Sequence, residues 1–190
     1  MNKNLIKSNQ FKTVIFLILL STCFSSAFSQ TDRRIEKIRK IYQEVNQKVA
    51  ECEANGDTSA TFLTEIIVNK NNGSYPAVGI YKTVAKFYYT YGNREKNPYP
   101  HRLLKIMLTI NRSSMTEDSE FLFDEEGKLI FYFEKKEAER RVYFDLEKPF
   151  RILKNEKMLP LNDKTEAEFV KTILTEKKKL VGIFQSSLDF

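Results

Sequence analysis

Residue types that can carry chemistry are few in this chain, and their spacing limits what they can do. His101 is the one histidine, and it follows a loop holding Pro98 and Pro100, so a histidine-based site would have to use it alone. No serine stands in a nucleophile-elbow context, histidine pairs and paired-cysteine motifs are absent, and six glycines supply no phosphate-cradling loop. These observations argue against nucleotide chemistry, and no cofactor or metal is expected. Carboxylates are plentiful. Glu117, Asp118 and Glu120, with Asp124, Glu125 and Glu126, read as an acidic patch around one hairpin, but their spacing does not match a calcium loop. A carboxylate pair for glycoside hydrolysis is defined by separation in space rather than in sequence, and no tryptophan is present to stack on a sugar ring. The chain is rich instead in aromatics, with 15 Phe and 9 Tyr. Tyr88, Tyr89 and Tyr91 crowd one strand, and Tyr81, Phe87 and Tyr89 are the candidate ligand-binding residues, as the lining of a cleft between a sheet and a helix.

The elements that would position these residues follow from periodicity. Ile35, Ile38, Tyr42, Val45, Val49 and Cys52 recur at alternating steps of three and four, which predicts an amphipathic helix over about 32–54, closed by Asn55-Gly56. Cys52 ends that stripe and reads as a small buried hydrophobe. The middle of the chain changes to an alternating, β-branched and aromatic pattern. It predicts strands over 61–68, 79–91 and 103–110, the last with Leu104, Ile106, Leu108 and Ile110 on one face. Phe121-Leu122-Phe123-Asp124 leads into Gly127-Lys128-Leu129-Ile130 as a hairpin in which Asp124 opens the turn. Val142-Tyr143-Phe144-Asp145 repeats the approach 21 residues later, but Lys148-Pro149 replaces Gly127-Lys128, so the second turn must close differently. After Pro160, Asp163 and Glu166 form a capping box. Phe169, Val170, Ile173, Leu174, Leu180, Val181 and Phe184 then predict a helix over about 163–185.

The first thirty residues have a different character. Lys3, Lys7 and Lys12 precede the apolar block 14–20, which gives way to small residues ending Ala27-Phe28-Ser29. That is the layout of a secretory signal peptide. Ser21 and Thr22 interrupt the block before it reaches the roughly 18 residues of a membrane span, so cleavage after Ser29 is expected, with no transmembrane span in the mature chain. Leu20-Ser21-Thr22-Cys23 also resembles a lipobox, which makes lipidation of Cys23 the alternative to that cleavage and a lipid anchor the alternative to a free exported protein. Removal of residues 1–29 leaves 28 basic residues against 25 acidic ones and lowers the formal charge from +6 to +3. So small an excess gives no case for nucleic acid as a partner. Cys52 remains as a single thiol, so stability must come from packing rather than cross-links.

The helix, the meander and the tandem Phe/Tyr-x-Phe-Asp hairpins of residues 120–153, together with the signal, resemble small exported bacterial proteins of unknown function. More loosely they are similar to helix-on-curved-sheet families such as cystatin-like or PepSY-like domains. The expected fold is α+β: a signal peptide over 1–29, then one domain over 30–190 with N- and C-terminal helices on one face of a six- to seven-stranded antiparallel meander. The expected role is that of an exported, non-catalytic binding or interaction module, periplasmic or secreted, engaging an unidentified protein or envelope component. The alternatives are a carrier of a small apolar or aromatic ligand held between helix and sheet and, last, a carboxylate-dependent hydrolase. The intact mass of the mature protein tests the export reading: a soluble species beginning at Gln30 is expected, whereas one beginning at an acylated Cys23 would make it a membrane-tethered lipoprotein.

Overall fold

The computed structural model describes residues 33–56, 60–76 and 79–189; the expected signal segment, its cleavage after Ser29 and Cys23 lie outside them. The chain divides into two compact units, Met1–Ile41 and Tyr42–Phe190. Helix α1 covers residues 33–55, of which 33–41 belong to the first unit and 42–55 to the second. The second unit also contains the strands β1 (Phe62–Val68), β2 (Ser74–Tyr75), β3 (Gly79–Tyr91), β4 (Pro100–Arg112), β5 (Thr116–Phe123), β6 (Leu129–Lys135), β7 (Glu139–Asp145), β8 (Lys148–Lys154) and β9 (Lys157–Leu159), then helix α2 (Lys164–Ser187). Eight strands lie in the order β1-β3-β4-β5-β6-β7-β8-β9, with β2 paired to β3. Every pairing is antiparallel. The α+β class and the meander agree with the sequence. The strand count does not: there are about nine strands instead of six or seven, because β2 and β9 are too short to show a period.

Pleating sends alternate side chains to opposite faces of the sheet. On one face Phe87, Ile106, Leu108, Phe121, Tyr132, Val142, Phe144 and Ile152 join Val170, Ile173, Leu180 and Phe184 of α2 in one core. Residues 42–55 of α1 lie on the other face. There the Tyr42 ring meets Phe131 edge-on at 5.4 Å, and Tyr88, Leu122 and Tyr143 are buried. The two helical segments of this unit therefore cover opposite faces of the sheet, which corrects the expectation of one shared face. The strands require this arrangement. Residues 121–123, 129–132 and 142–144 are buried without a break, so each strand centre is apolar on both sides and needs cover on both.

Three pairings slip register by one residue at the same end of the sheet: Tyr88 and Tyr89 face Lys105 and Leu103, Leu122 and Phe123 face Phe131 and Leu129, and Tyr143 and Phe144 face Arg151 and Pro149. The skipped residues are Leu104, Ile130 and Phe150, a second slip of β3–β4 between Thr90 and Tyr91 skips His101, and such bulges bend a sheet. The first of them brings Leu103, rather than the expected Leu104, into the core under α2. Pro149 is tolerated because it sits at a bulge, where a missing N–H breaks no regular ladder. The tandem hairpins close as differently as their sequences do. Asp124 Oδ1 accepts from the N–H groups of Glu126 and Lys128 at 2.9 and 2.8 Å, and Gly127 takes φ +76°. The second turn uses Leu146 and Glu147, both at positive φ, as a tight two-residue turn.

Asp163 caps α2, its side chain accepting from the N–H groups of Thr165 and Glu166. The reciprocal half of the expected capping box is absent, because Glu166 turns instead to Arg140 of β7. At the far end of α2, Phe184 stacks on Phe87 at 5.6 Å and meets Tyr89 edge-on at 5.0 Å. Phe184→Ala is expected to destabilise the protein by about 3–5 kcal/mol, while Ile183→Ala, on the exposed side of the same turn, changes stability by less than about 1 kcal/mol. Denaturant unfolding of the two variants checks this.

Candidate functional site

The three aromatics chosen from the sequence share one strand but not one environment. Phe87 is fully buried beneath Phe184. Tyr81 lies six positions back toward the start of β3, where the Arg112 guanidinium rests over its ring at 5.2 Å. Tyr89 is half-buried, stacks on Phe62 at 5.7 Å and accepts at its hydroxyl from Thr64 Oγ1 at 3.3 Å. Of the three, Tyr89 borders an open space: a hollow of about 430 Å³ lined also by Cys52, Glu53, Gly56, Thr61, Phe62 and Leu63. Glu53 accepts from Lys86 Nζ at 2.8 Å and from the Tyr88 hydroxyl at 2.5 Å, and these bonds hold its carboxyl below the usual carboxylate range. Burial pushes the Cys52 thiol up, with Glu53 adding to the effect, which lowers its thiolate fraction.

The hollow opens at the start of β1, and β1 stands at one end of the sheet, paired on one side only. Seven residues long, it carries one charge, Glu65, and exposes Leu63 (36%) and Val68 (48%). Edge strands are usually blunted by charge, proline or a bulge. No proline or bulge interrupts the β1–β3 register from Phe62↔Tyr89 to Val68↔Thr83, and Glu65 is its one charge. Sequence reasoning identified this strand but not its position. An edge strand and a central one read alike until the pairing order is known.

A second cleft, about 350 Å³, lies at the end of α2 beside the first hairpin turn. His101 is found here. Its ring lies against Gly92, where a Cβ would come within 2.8 Å of the ring, and its Nδ1 is 2.9 Å from the Tyr99 carbonyl oxygen. No serine or thiol lines this cleft.

The acidic patch is dispersed by the pleat. Glu120 reaches Lys105 Nζ at 2.8 Å on the α1 face, where Lys105, 2% exposed, also donates to Asn46 at 2.8 Å. Tyr42 donates its hydroxyl to Glu120 at 2.7 Å, and burial together with that carboxylate pushes the phenol up to about 12. Asp118 accepts from Thr109, Asp124 closes its turn, and Glu126 pairs with Lys128. Glu117 points to the α2 face instead. There it accepts from Arg112 Nε at 2.8 Å and approaches Lys136 Nζ at 3.3 Å. The neighbouring Glu134 accepts from Tyr132 at 2.9 Å and from the same Lys136 at 3.3 Å. Among the described residues no group of three His, Cys, Asp or Glu side chains could hold a metal ion, and no helix is long and apolar enough to cross a membrane. Comparison with known protein families, curated proteins and solved structures finds no match to the chain.

Glu176 of α2 faces this second acidic group. Burial raises its pKa; Lys136 opposes that rise, and Glu134 and Glu117 reinforce it. Glu117 shifts downward, because its bonds to Arg112 and Lys136 outweigh the effect of burial. The two shifts act on stability with opposite signs. A raised carboxyl takes stability away as pH climbs from the ordinary carboxylate range through its own value, and a lowered one adds stability above that range. Glu176→Gln is therefore expected to raise the melting temperature at about pH 7, with the gain vanishing at about pH 3, where the native carboxyl is protonated both folded and unfolded. Melting curves at the two pH values check this; an equal gain at both would exclude an ionisation effect.

Proposed function

We propose that the protein is an exported, non-catalytic binding module of the periplasm or cell envelope, and that it engages an extended segment of a partner protein along the outer edge of β1. The observation that carries this reading is the uninterrupted edge itself: seven consecutive residues paired on one side, low in charge, with a hollow at one end. An added strand would take up the outward backbone N–H and C=O groups of β1, and those hydrogen bonds supply affinity whatever the sequence of the partner. Specificity would come from alternate side chains, one of which meets the hollow bordered by Phe62 and Tyr89. The absence of a serine or thiol from the lining of the α2 cleft, and the pairing of Glu117, Glu120 and Glu134 with cations, favour binding over a carboxylate-dependent hydrolase.

The cleft at the end of α2 favours a second reading, a carrier of a small apolar or aromatic ligand between helix and sheet, because Val181 and Phe184 of α2 face Leu103 of β4 across it. The Tyr81, Phe87 and Tyr89 assignment does not carry over to this cleft; its apolar walls come from other residues.

Selection of random peptides displayed on phage tests the first reading. Binders with alternating apolar residues are expected, and they should slow amide exchange along β1. A Leu63→Lys, Val68→Lys double variant that still melts cooperatively should lose them. Peptide binding that survives these changes and leaves β1 exchange unaltered would exclude the edge as the site.

A further inference from the structure

The cleft at the end of α2 has a polar side that the carrier reading does not explain. Leu103, Val181 and Phe184 make an apolar wall, while Arg102 and Gln185 stand at its rim. Arg102 is poorly satisfied for a guanidinium. Among the described residues its Nε is buried with no hydrogen-bond partner, and its one ion pair is a long one, 3.8 Å to Glu125. Glu125 is a weak competitor, with its side chain 92% exposed, and Glu126 is taken by Lys128 at 2.6 Å. A half-buried guanidinium beside an apolar wall, with five donors in a fixed fork, matches a planar anionic head on an apolar body.

We infer that this cleft binds a small organic monocarboxylate, with an aromatic or aliphatic body against Leu103, Val181 and Phe184 and its carboxylate on Arg102 in place of Glu125. The inference rests on the carrier reading and adds the charge of the ligand to it. The cleft volume, about 350 Å³, falls at the small end of ligand sites and suits one ring or a short chain rather than a long acyl tail. Arg102 would offset the exposed carbonyls of the helix C-terminus, which by themselves favour a cation.

The test is a nitrogen-15 amide titration of the chain with 4-phenylbutyrate and, separately, with 4-phenylbutan-1-ol, which keeps the body and loses the charge. The acid is expected to shift the amides of Leu103 and Val181 saturably and the alcohol to bind at least about tenfold more weakly, the scale of one charge-assisted pair. Arg102→Gln should weaken the acid by about tenfold and leave the alcohol unchanged, while Glu125→Gln, which removes the competitor at an exposed site, should tighten the acid by about threefold. Acid and alcohol binding equally, with Arg102→Gln without effect, would overturn the carboxylate assignment and leave the carrier reading standing. Shifts at neither the Leu103 nor the Val181 amide with either compound would overturn both.

Discussion

A sheet that is apolar on both faces governs the arrangement of the second unit. Once Phe121, Leu122 and Phe123 follow one another in a strand, the pleat turns Phe121 and Phe123 to one side and Leu122 to the other, and neither side can be left to water. Two amphipathic helical segments separated by the whole meander meet this requirement, residues 42–55 of α1 on one face and α2 on the other. The order of elements along the chain makes the arrangement accessible: no strand has to be threaded, and each strand of the main path is hydrogen-bonded to the next one along it.

Charges inside such a structure need partners in place, and the partners differ between the faces. On the α1 side Lys105 is nearly inaccessible, and its charge is met by Glu120, Asn46 and the face of the Tyr42 ring at 4.9 Å. A charge buried this deeply is tolerated because it is hydrogen-bonded as well as paired, and removing one partner would leave the other exposed to a low-dielectric surrounding. On the α2 side three carboxylates share Lys136 and Arg112, and Glu176 bears the imbalance. The same pleat that divides the apolar residues thus divides an acidic run of sequence into two unrelated networks.

The two openings lie where this packing ends. The hollow at β1 forms where α1 stops at residue 55 and the sheet still has an edge to offer, and the second cleft forms where α2 runs out beside the first hairpin turn. In both, the walls combine the last residues of a helix with residues near the start of a strand, Phe62 and Leu63 of β1 or Leu103 of β4. This gives an apolar surface with few but directed hydrogen-bonding groups.

The sequence by itself determined the local structure. The three-four spacing from Tyr42 to Cys52, the alternation through Gly79–Tyr91, the Asp124 turn, the need for a different second turn and the Asp163 cap are all short-range patterns, dictated by backbone geometry and read within a few residues. Tertiary structure decided what depends on partners distant along the chain. Which faces the helices cover could not be read from the strands: a run such as Phe121-Leu122-Phe123 shows that both faces are apolar but not what covers each. The bulge that brings Leu103 into the core in place of Leu104 is a property of the β3–β4 pairing and leaves no signal in β4 alone. Tyr81, Phe87 and Tyr89 alternate perfectly and so appeared to share one site. Phe184 of α2 meets both Phe87 and Tyr89, but it closes over Phe87 while Tyr89 also borders the hollow at the sheet's edge, and Tyr81 lies beneath Arg112 instead. Periodicity fixes the direction in which a side chain points, and only packing fixes what it meets there.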